Sequence, residues 1–221
     1  MSFKKNKYLI IRNAISEDLA HFCYNYFIIK RKVADTLLQS NYISNSNSDW
    51  GTFSDPQVPN SYSHYADIVM ETLLLKVKPI MQEKTKLDLV ETYSYARLYQ
   101  KGNFLKKHKD RVSCEISTTL NLGGDPWSIF IEPDTKKGGY KKNKYVPSKS
   151  KGVEVVLNPG DMLMYRGCEL EHWRNEFTGD YCVQVFLHYN DKKSKQAEIN
   201  KFDKRPHLGL PGWFSNKKIG E

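Results

Sequence analysis

The chain has 221 residues, 39% hydrophobic and 13% aromatic, a composition that excludes a disordered or low-complexity protein. Mean hydropathy is −0.63, and no apolar run approaches the ~18 residues of a membrane-spanning helix. Lys and Arg outnumber Asp and Glu by 34 to 25, and the resulting charge of +9 fits a polyanionic partner, an anionic substrate or plain solubility.

The N-terminal stretch before Arg12 is basic with only a short apolar run, which argues against a secretory signal and for a cytoplasmic protein. Ser16 is a candidate helix N-cap, with Glu17 and Asp18 favourable in the first turn. Leu19, Phe22, Cys23, Tyr26 and Phe27 then recur at helical spacing as one apolar stripe. A polar segment, 40–60, follows; its Trp50 and Phe53 imply packing against a neighbour. Tyr62, Tyr65, Ala66, Val69, Leu73, Val77 and Ile80 predict a second helix, bent or ended by Pro79.

From Leu89 the period shortens. Segments 90–99, 115–122, 127–132, 153–157, 161–165 and 181–189 are rich in β-branched and aromatic residues, with turn signals between them. Helices followed by short strands predict an α+β domain, a β-sandwich or jelly roll supported by helices. The expected organisation is one domain over 1–221: helical support at 1–88, a jelly-roll core at 89–190 and a C-terminal tail at 191–221. Between two strands, 134–151 carries seven lysines and is expected to be an exposed loop, a candidate lid.

Cys23, Cys114, Cys168 and Cys182 form no CxxC pair, which excludes a zinc ribbon and predicts free thiols. Of the six histidines, His21, His64 and His207 have no ligand spacing. His108-Lys109-Asp110 places an imidazole and a carboxylate two residues apart, and His172 follows another strand. Together these three match the 2-His-1-carboxylate set of non-haem Fe(II) oxygenases. Alone, the tripeptide reads first as a surface His and Asp among lysines.

The surroundings add specificity. Tyr99-Gln-Lys-Gly102, running on to His108-Lys-Asp110, resembles the Y-x-x-G-x-x-x-x-x-H-x-D run of prolyl 4-hydroxylase-like 2-oxoglutarate/Fe(II) dioxygenases. Asn158-Pro-Gly160-Asp161 resembles that family's turn into the strand before the second metal histidine, which Glu171-His172-Trp173-Arg174 supplies in order. The resemblance covers about residues 90–190. It implies a double-stranded β-helix (a cupin-like jelly roll) holding Fe(II) on His108, Asp110 and His172, with 2-oxoglutarate as co-substrate and ascorbate as accessory reductant. It also implies dioxygen-dependent hydroxylation of an unactivated C–H, with peptidyl proline as the favoured substrate.

One position departs from the pattern. The cation expected nine or ten residues after the second histidine, to bind the distal carboxylate of 2-oxoglutarate, is replaced by Tyr181. Tyr99, Arg174, Tyr181 and Gln184 are the candidates for that role, Gln184 only if the strand's phase is shifted by one. Arg97, Trp127, Trp173 and His188 are candidates for substrate contact, with core packing as the alternative for each. Lys106, Lys107, Lys109 and Arg111 surround the tripeptide and predict an electropositive rim. Hydroxylation of a free amino acid or other small molecule, and a non-catalytic cupin-like binding module, remain open. A nucleic-acid partner is disfavoured because the aromatics are not interleaved with the basic runs.

Overall fold

A computed structural model of the chain describes residues 2–215. In chain order its elements are α1 (Phe3–Asn6), β1 (Tyr8–Ile11), α2 (Glu17–Gln39), β2 (Tyr62–Tyr65), α3 (Ile68–Thr85), β3 (Leu89–Gln100), β4 (Leu105–His108) and β5 (Ile116–Gly124). There follow β6 (Ile129–Ile131), β7 (Gly139–Lys141), β8 (Lys144–Val146), β9 (Val153–Val155), β10 (Met162–Tyr165), β11 (His172–Arg174), β12 (Tyr181–Asp191) and α4 (Ala197–Asn200). A six-stranded sheet, ordered β1-β10-β5-β12-β3-β2, faces a four-stranded sheet, β4-β11-β6-β9, and β7 and β8 pair alone. All pairings are antiparallel. This is the expected α+β double-stranded β-helix.

Strand alternation splits the large sheet chemically. On β12, Val183, Val185, Leu187 and Tyr189 join the core cluster with Phe27, Leu74 and Met81 of the long helices. Cys182, Gln184, Phe186 and His188 take the opposite face, between the sheets, and so do Tyr93, Tyr95, Arg97 and Tyr99 of β3. The hydrophobic free energy is concentrated on the helix side, at roughly 1.5–3 kcal/mol per large buried side chain. The inter-sheet side is thereby left available for polar groups.

Several expectations are corrected. Tyr62–Tyr65 is an edge strand on β3, not the start of a helix. Ala66 has φ +58 and breaks the chain before the helix. Asp67 then caps α3, its Oδ1 accepting from the backbone N–H groups of Val69 (3.0 Å) and Met70 (3.1 Å). Pro79 neither ends α3 nor leaves a buried acceptor bare, because it and the Leu75 carbonyl it deprives lie on the exposed face. On α2 the Ser16 cap is present, its hydroxyl accepting from Leu19 N–H, but Phe22 is 64% exposed and the buried stripe runs through Ala20, Cys23, Phe27 and Ala34.

Segment 40–60 packs as expected, with Phe53 against Tyr62 at 5.0 Å between centroids. The lysine-rich segment contains the β7–β8 hairpin rather than an unstructured loop. The C-terminal segment folds back onto the domain: Arg205 forms a buried ion pair with Glu71 (2.6 Å). Residues 216–221 of the predicted tail lie outside the described residues. Among the described residues, no helix is long and apolar enough to cross a membrane.

Candidate metal centre and cavity

β4 and β11 pair so that His108 stands directly across from His172. Asp110 lies just past the end of β4, not within a strand, and its backbone N–H is held by the Gly167 carbonyl at 2.9 Å. Asp110 Oδ1 sits 3.5 Å from His108 Nε2 and 3.4 Å from His172 Nε2. One ligand atom from each of the three residues falls within 4.8 Å of the others. His108 Nδ1 meets the Lys106 carbonyl at 2.8 Å and His172 Nδ1 the Leu170 carbonyl at 3.0 Å. A carbonyl only accepts, so both Nδ1 atoms carry the proton and both Nε2 lone pairs converge beside the carboxylate.

Asp110 Oδ2 accepts from Ser117 Oγ at 3.1 Å. Burial alone would raise the Asp110 pKa, but His172 and His108 hold it well below the usual carboxylate range. Burial opposes protonation of His172, yet Asp110 raises its pKa. Gly167 gives this arrangement its room, since a Cβ there would lie 2.3 Å from Asp110 Oδ2 and 2.4 Å from the Cys114 carbonyl. A convergent, anionic set of two imidazoles and one carboxylate fits a divalent metal.

The three residues line a cavity of about 430 Å³. Its inner wall is apolar, from Leu105, Ile129, Tyr165 and Phe186, and Asp55, Tyr95 and Arg97 lie along another wall. Arg97 therefore lines the cavity, but its charge is balanced: Asp55 Oδ2 accepts from Nε (2.9 Å) and Nη2 (2.5 Å), and from Tyr95 OH (2.7 Å). Neither Asp55 nor Tyr95 belongs to a sequence motif; Tyr95 shares the alternation of Arg97 and Tyr99, whereas Asp55 arrives from the 40–60 segment with no local signal. His188 also lines the cavity, its Nδ1 2.9 Å from Ser117 Oγ, and burial pushes its pKa down to about 4. It lies with Cys114 near Asp110. Burial pushes the Cys114 thiol up, and it contacts Tyr93 OH at 3.0 Å.

The co-substrate candidates separate clearly. Tyr181 is 40% exposed on the helix side, its ring beneath Arg31, and does not line the cavity. Its neighbour-but-two, Gln184, faces inward, accepting from Thr119 Oγ1 at 3.0 Å, so the strand has the phase that puts Gln184 rather than Tyr181 inside. Tyr99 is fully buried, accepting from Arg97 Nη1 at 3.0 Å. Arg174 is 1% exposed and pairs in register with the cavity residue Leu105. It donates to the Trp127 carbonyl (2.7 Å) and to Thr119 Oγ1 (3.3 Å), its Nε has no partner, and no carboxylate pairs with it among the described residues.

Trp127 packs between Tyr99 (4.7 Å) and Phe177 (5.0 Å), with Arg174 over its ring at 4.9 Å, and does not line the cavity. Trp173 points away from it, stacked on Phe130 with Lys107 over its face. These two tryptophans pack; they do not reach the cavity. His64 is buried against Asp67, while His21 and His207 are exposed.

The predicted electropositive rim is largely engaged. Arg111 forms a two-armed pair with Asp203 (3.0 and 2.7 Å) from the C-terminal segment. Lys107 donates to the Ser148 and Ser150 carbonyls, and Lys109 to those of Thr135 and Gly138. Glu171, beside His172, accepts from Tyr145 OH (3.0 Å) and Ser148 N–H (2.9 Å), so the hairpin is pinned at its base. All four cysteines are free thiols, and Cys168 is only half-buried.

No protein-family model matches the chain, and no curated protein matches it. Solved structures do. A Pseudomonas putida prolyl-4-hydroxylase is 12% identical with a TM-score of 0.56, covering 86% of this chain and 95% of its own. EctD from S. alaskensis, solved with 2-oxoglutarate and 5-hydroxyectoine, is 16% identical with a TM-score of 0.59, covering 98% and 82%. HygX from Streptomyces hygroscopicus, solved with nickel and 2-oxoglutarate, is 12% identical with a TM-score of 0.57, covering 86% and 85%. The fold of this chain is therefore the double-stranded β-helix of the 2-oxoglutarate/Fe(II)-dependent oxygenases, prolyl hydroxylases among them.

Proposed function

We propose that the chain is a 2-oxoglutarate- and Fe(II)-dependent dioxygenase that hydroxylates an unactivated C–H. The observation that carries this reading is the convergence of His108 Nε2, His172 Nε2 and Asp110 Oδ1, with both Nδ1 atoms committed to backbone carbonyls. Bound Fe(II) supplies the centre at which 2-oxoglutarate and dioxygen react. The chain's own contribution is to fix the donors, through Gly167, Ser117 and the two carbonyls, and to exclude water with the apolar wall of the cavity.

Arg174 is the partner this reading gives to the distal carboxylate of 2-oxoglutarate. A guanidinium stays charged even where burial lowers its pKa, and a buried cation without an anion is costly unless a ligand supplies one. Thr119 and Tyr99 flank it. Tyr181, where the related motif has a cation, is on the helix face, and this reading gives its role to Arg174 on β11 of the other sheet. An anchor at Arg174 favours the dioxygenase over a non-catalytic cupin-like module.

Peptidyl proline is the favoured substrate, supported by the motif resemblance and by the prolyl hydroxylases among the similar structures. The free thiols fit a reducing, cytoplasmic setting. The chain is taken as one catalytic domain, with 1–88 as support, 89–190 as the jelly roll and 191–221 as a tail. Anaerobic titration with Fe(II) should saturate near one equivalent, and added 2-oxoglutarate should produce a visible charge-transfer band and then, with air, succinate. His108→Ala and Asp110→Ala should abolish both; variants that still bind metal and form succinate would overturn the assignment.

A further inference from the structure

A second depression, a groove of about 580 Å³, runs along the outside of the β3–β4 turn. Pro56 and Gln57 line both the groove and the metal-centre cavity, so the two adjoin. Its charged lining is Arg31, Lys101 and Lys106, with no aspartate or glutamate. None of the three forms an ion pair among the described residues. Lys101 and Lys106 are exposed, and between them Phe104 is 47% exposed.

The groove is built, not a gap between mobile loops. Asn103 joins its two walls: its Nδ2 donates to the Pro59 carbonyl (3.0 Å) and its Oδ1 accepts from Gln100 N–H (2.9 Å). Behind the opposite wall, on the cavity side, Asp55 Oδ1 accepts from the N–H groups of Gln57 (2.8 Å) and Val58 (3.3 Å) while its Oδ2 grips Arg97. Pro56 and Pro59 further fix the backbone. A preformed channel loses little freedom on binding.

We propose that this groove docks an extended acidic polypeptide, whose target residue reaches the adjoining cavity across Pro56 and Gln57. Three uncompensated cations select acidic side chains, and the exposed Phe104 ring gives an apolar contact between them. This deepens the hydroxylase reading and rests on it for the fate of the bound residue, but not for the binding itself. The substrate class is then a protein segment in which the modified residue is flanked by Asp or Glu.

The test uses the full chain without added metal. A fluorescein-labelled peptide of Glu-Pro-Ala repeats should bind by fluorescence anisotropy, with affinity falling as salt rises. A Gln-Pro-Ala peptide should not bind. Lys101→Glu with Lys106→Glu should weaken the acidic peptide by roughly tenfold or more, whereas Lys141→Glu with Lys144→Glu, on the hairpin, should leave it unchanged. Circular dichroism confirms that both variants fold. An absence of peptide binding, or equal losses from groove and hairpin reversals, would overturn the proposal; so would an oligo-dT probe that binds through the same lysines while the peptide does not. Intact peptide binding with no succinate formation under any condition would sink the hydroxylase reading and leave the groove standing.

Discussion

Replacing Arg174 by Met tests the co-substrate assignment most directly, because structural and functional roles predict opposite outcomes. In the folded chain Arg174 is fully buried, without a carboxylate partner and with an unbonded Nε. Met preserves length and apolar bulk. The fold loses two hydrogen bonds, to the Trp127 carbonyl and, longer, to Thr119 Oγ1, and a cation–π contact at 4.9 Å, about 3–6 kcal/mol together. It gains relief from burying an uncompensated guanidinium, several kcal/mol in the other direction. The melting temperature should therefore hold or rise.

Co-substrate binding should move the other way. A dianion whose distal carboxylate enters this interior without its cation loses about 3–5 kcal/mol, a factor of roughly 10² to 10⁴ in affinity. The assay is anaerobic titration of the charge-transfer band with 2-oxoglutarate in the Fe(II)-loaded protein, together with uncoupled succinate formation in air. The expected signature is a large rise in the 2-oxoglutarate Kd and KM with Fe(II) affinity unchanged, and partial recovery in Arg174→Lys. A protein that melts much earlier but binds 2-oxoglutarate normally would refute the reasoning and make Arg174 a structural residue.

Other outcomes follow from the same contacts. Gly167→Ala places a Cβ against Asp110 Oδ2 and Cys114 O, so Fe(II) affinity measured by calorimetry should fall, with a stability cost of about 1–3 kcal/mol from overpacking. Asp67 caps α3 and pairs with Lys30 at 2.6 Å; Asp67→Ala should cost about 3–5 kcal/mol in urea unfolding, since it strands a mostly buried ammonium. Despite burial, hydrogen bonds from His64 and Lys30 hold the Asp67 pKa far below its unfolded value near 4, so its stabilisation is full above pH ~4 and is lost as the pH falls below that. The wild-type minus Asp67→Ala difference in unfolding free energy should therefore shrink between pH 5 and pH 2; a constant difference would contradict the pairing. Glu171→Ala should release the hairpin, read as faster amide hydrogen exchange confined to 134–151.

Those residues also mark what a sequence can and cannot display. The metal set was legible because β4 and its turn carry two ligands within three positions and the third has its own motif. The expected cation failed by one residue of strand phase. Val183, Val185 and Leu187 alternate with Gln184, Phe186 and His188, so the wholly apolar set belongs against the helices, and Tyr181 shares its parity. Tyr62 and Tyr65 fit a helical period that continues smoothly into α3; the Asp67 cap was the available sign that the helix starts later. Asp55 was invisible for a different reason. Its partner Arg97 is 42 residues away, and nothing periodic in a polar loop announces a long-range ion pair.

The charge excess changes meaning on the same terms. In the sequence, the basic residues around His108 read as one electropositive rim. In the fold they divide by what they face: Arg111 is neutralised by Asp203, while Lys107 and Lys109 hold the hairpin through backbone carbonyls. Of that cluster Lys106 alone turns to the groove, where Arg31 and Lys101 join it from distant parts of the chain. Net charge fixes neither the site nor the partner; what selects a ligand is the subset of cations the fold leaves without an anion. Arg174 inside the jelly roll and the three groove residues outside it belong to that subset and flank the two depressions, which argues for one carboxylate in the interior and several along the approach.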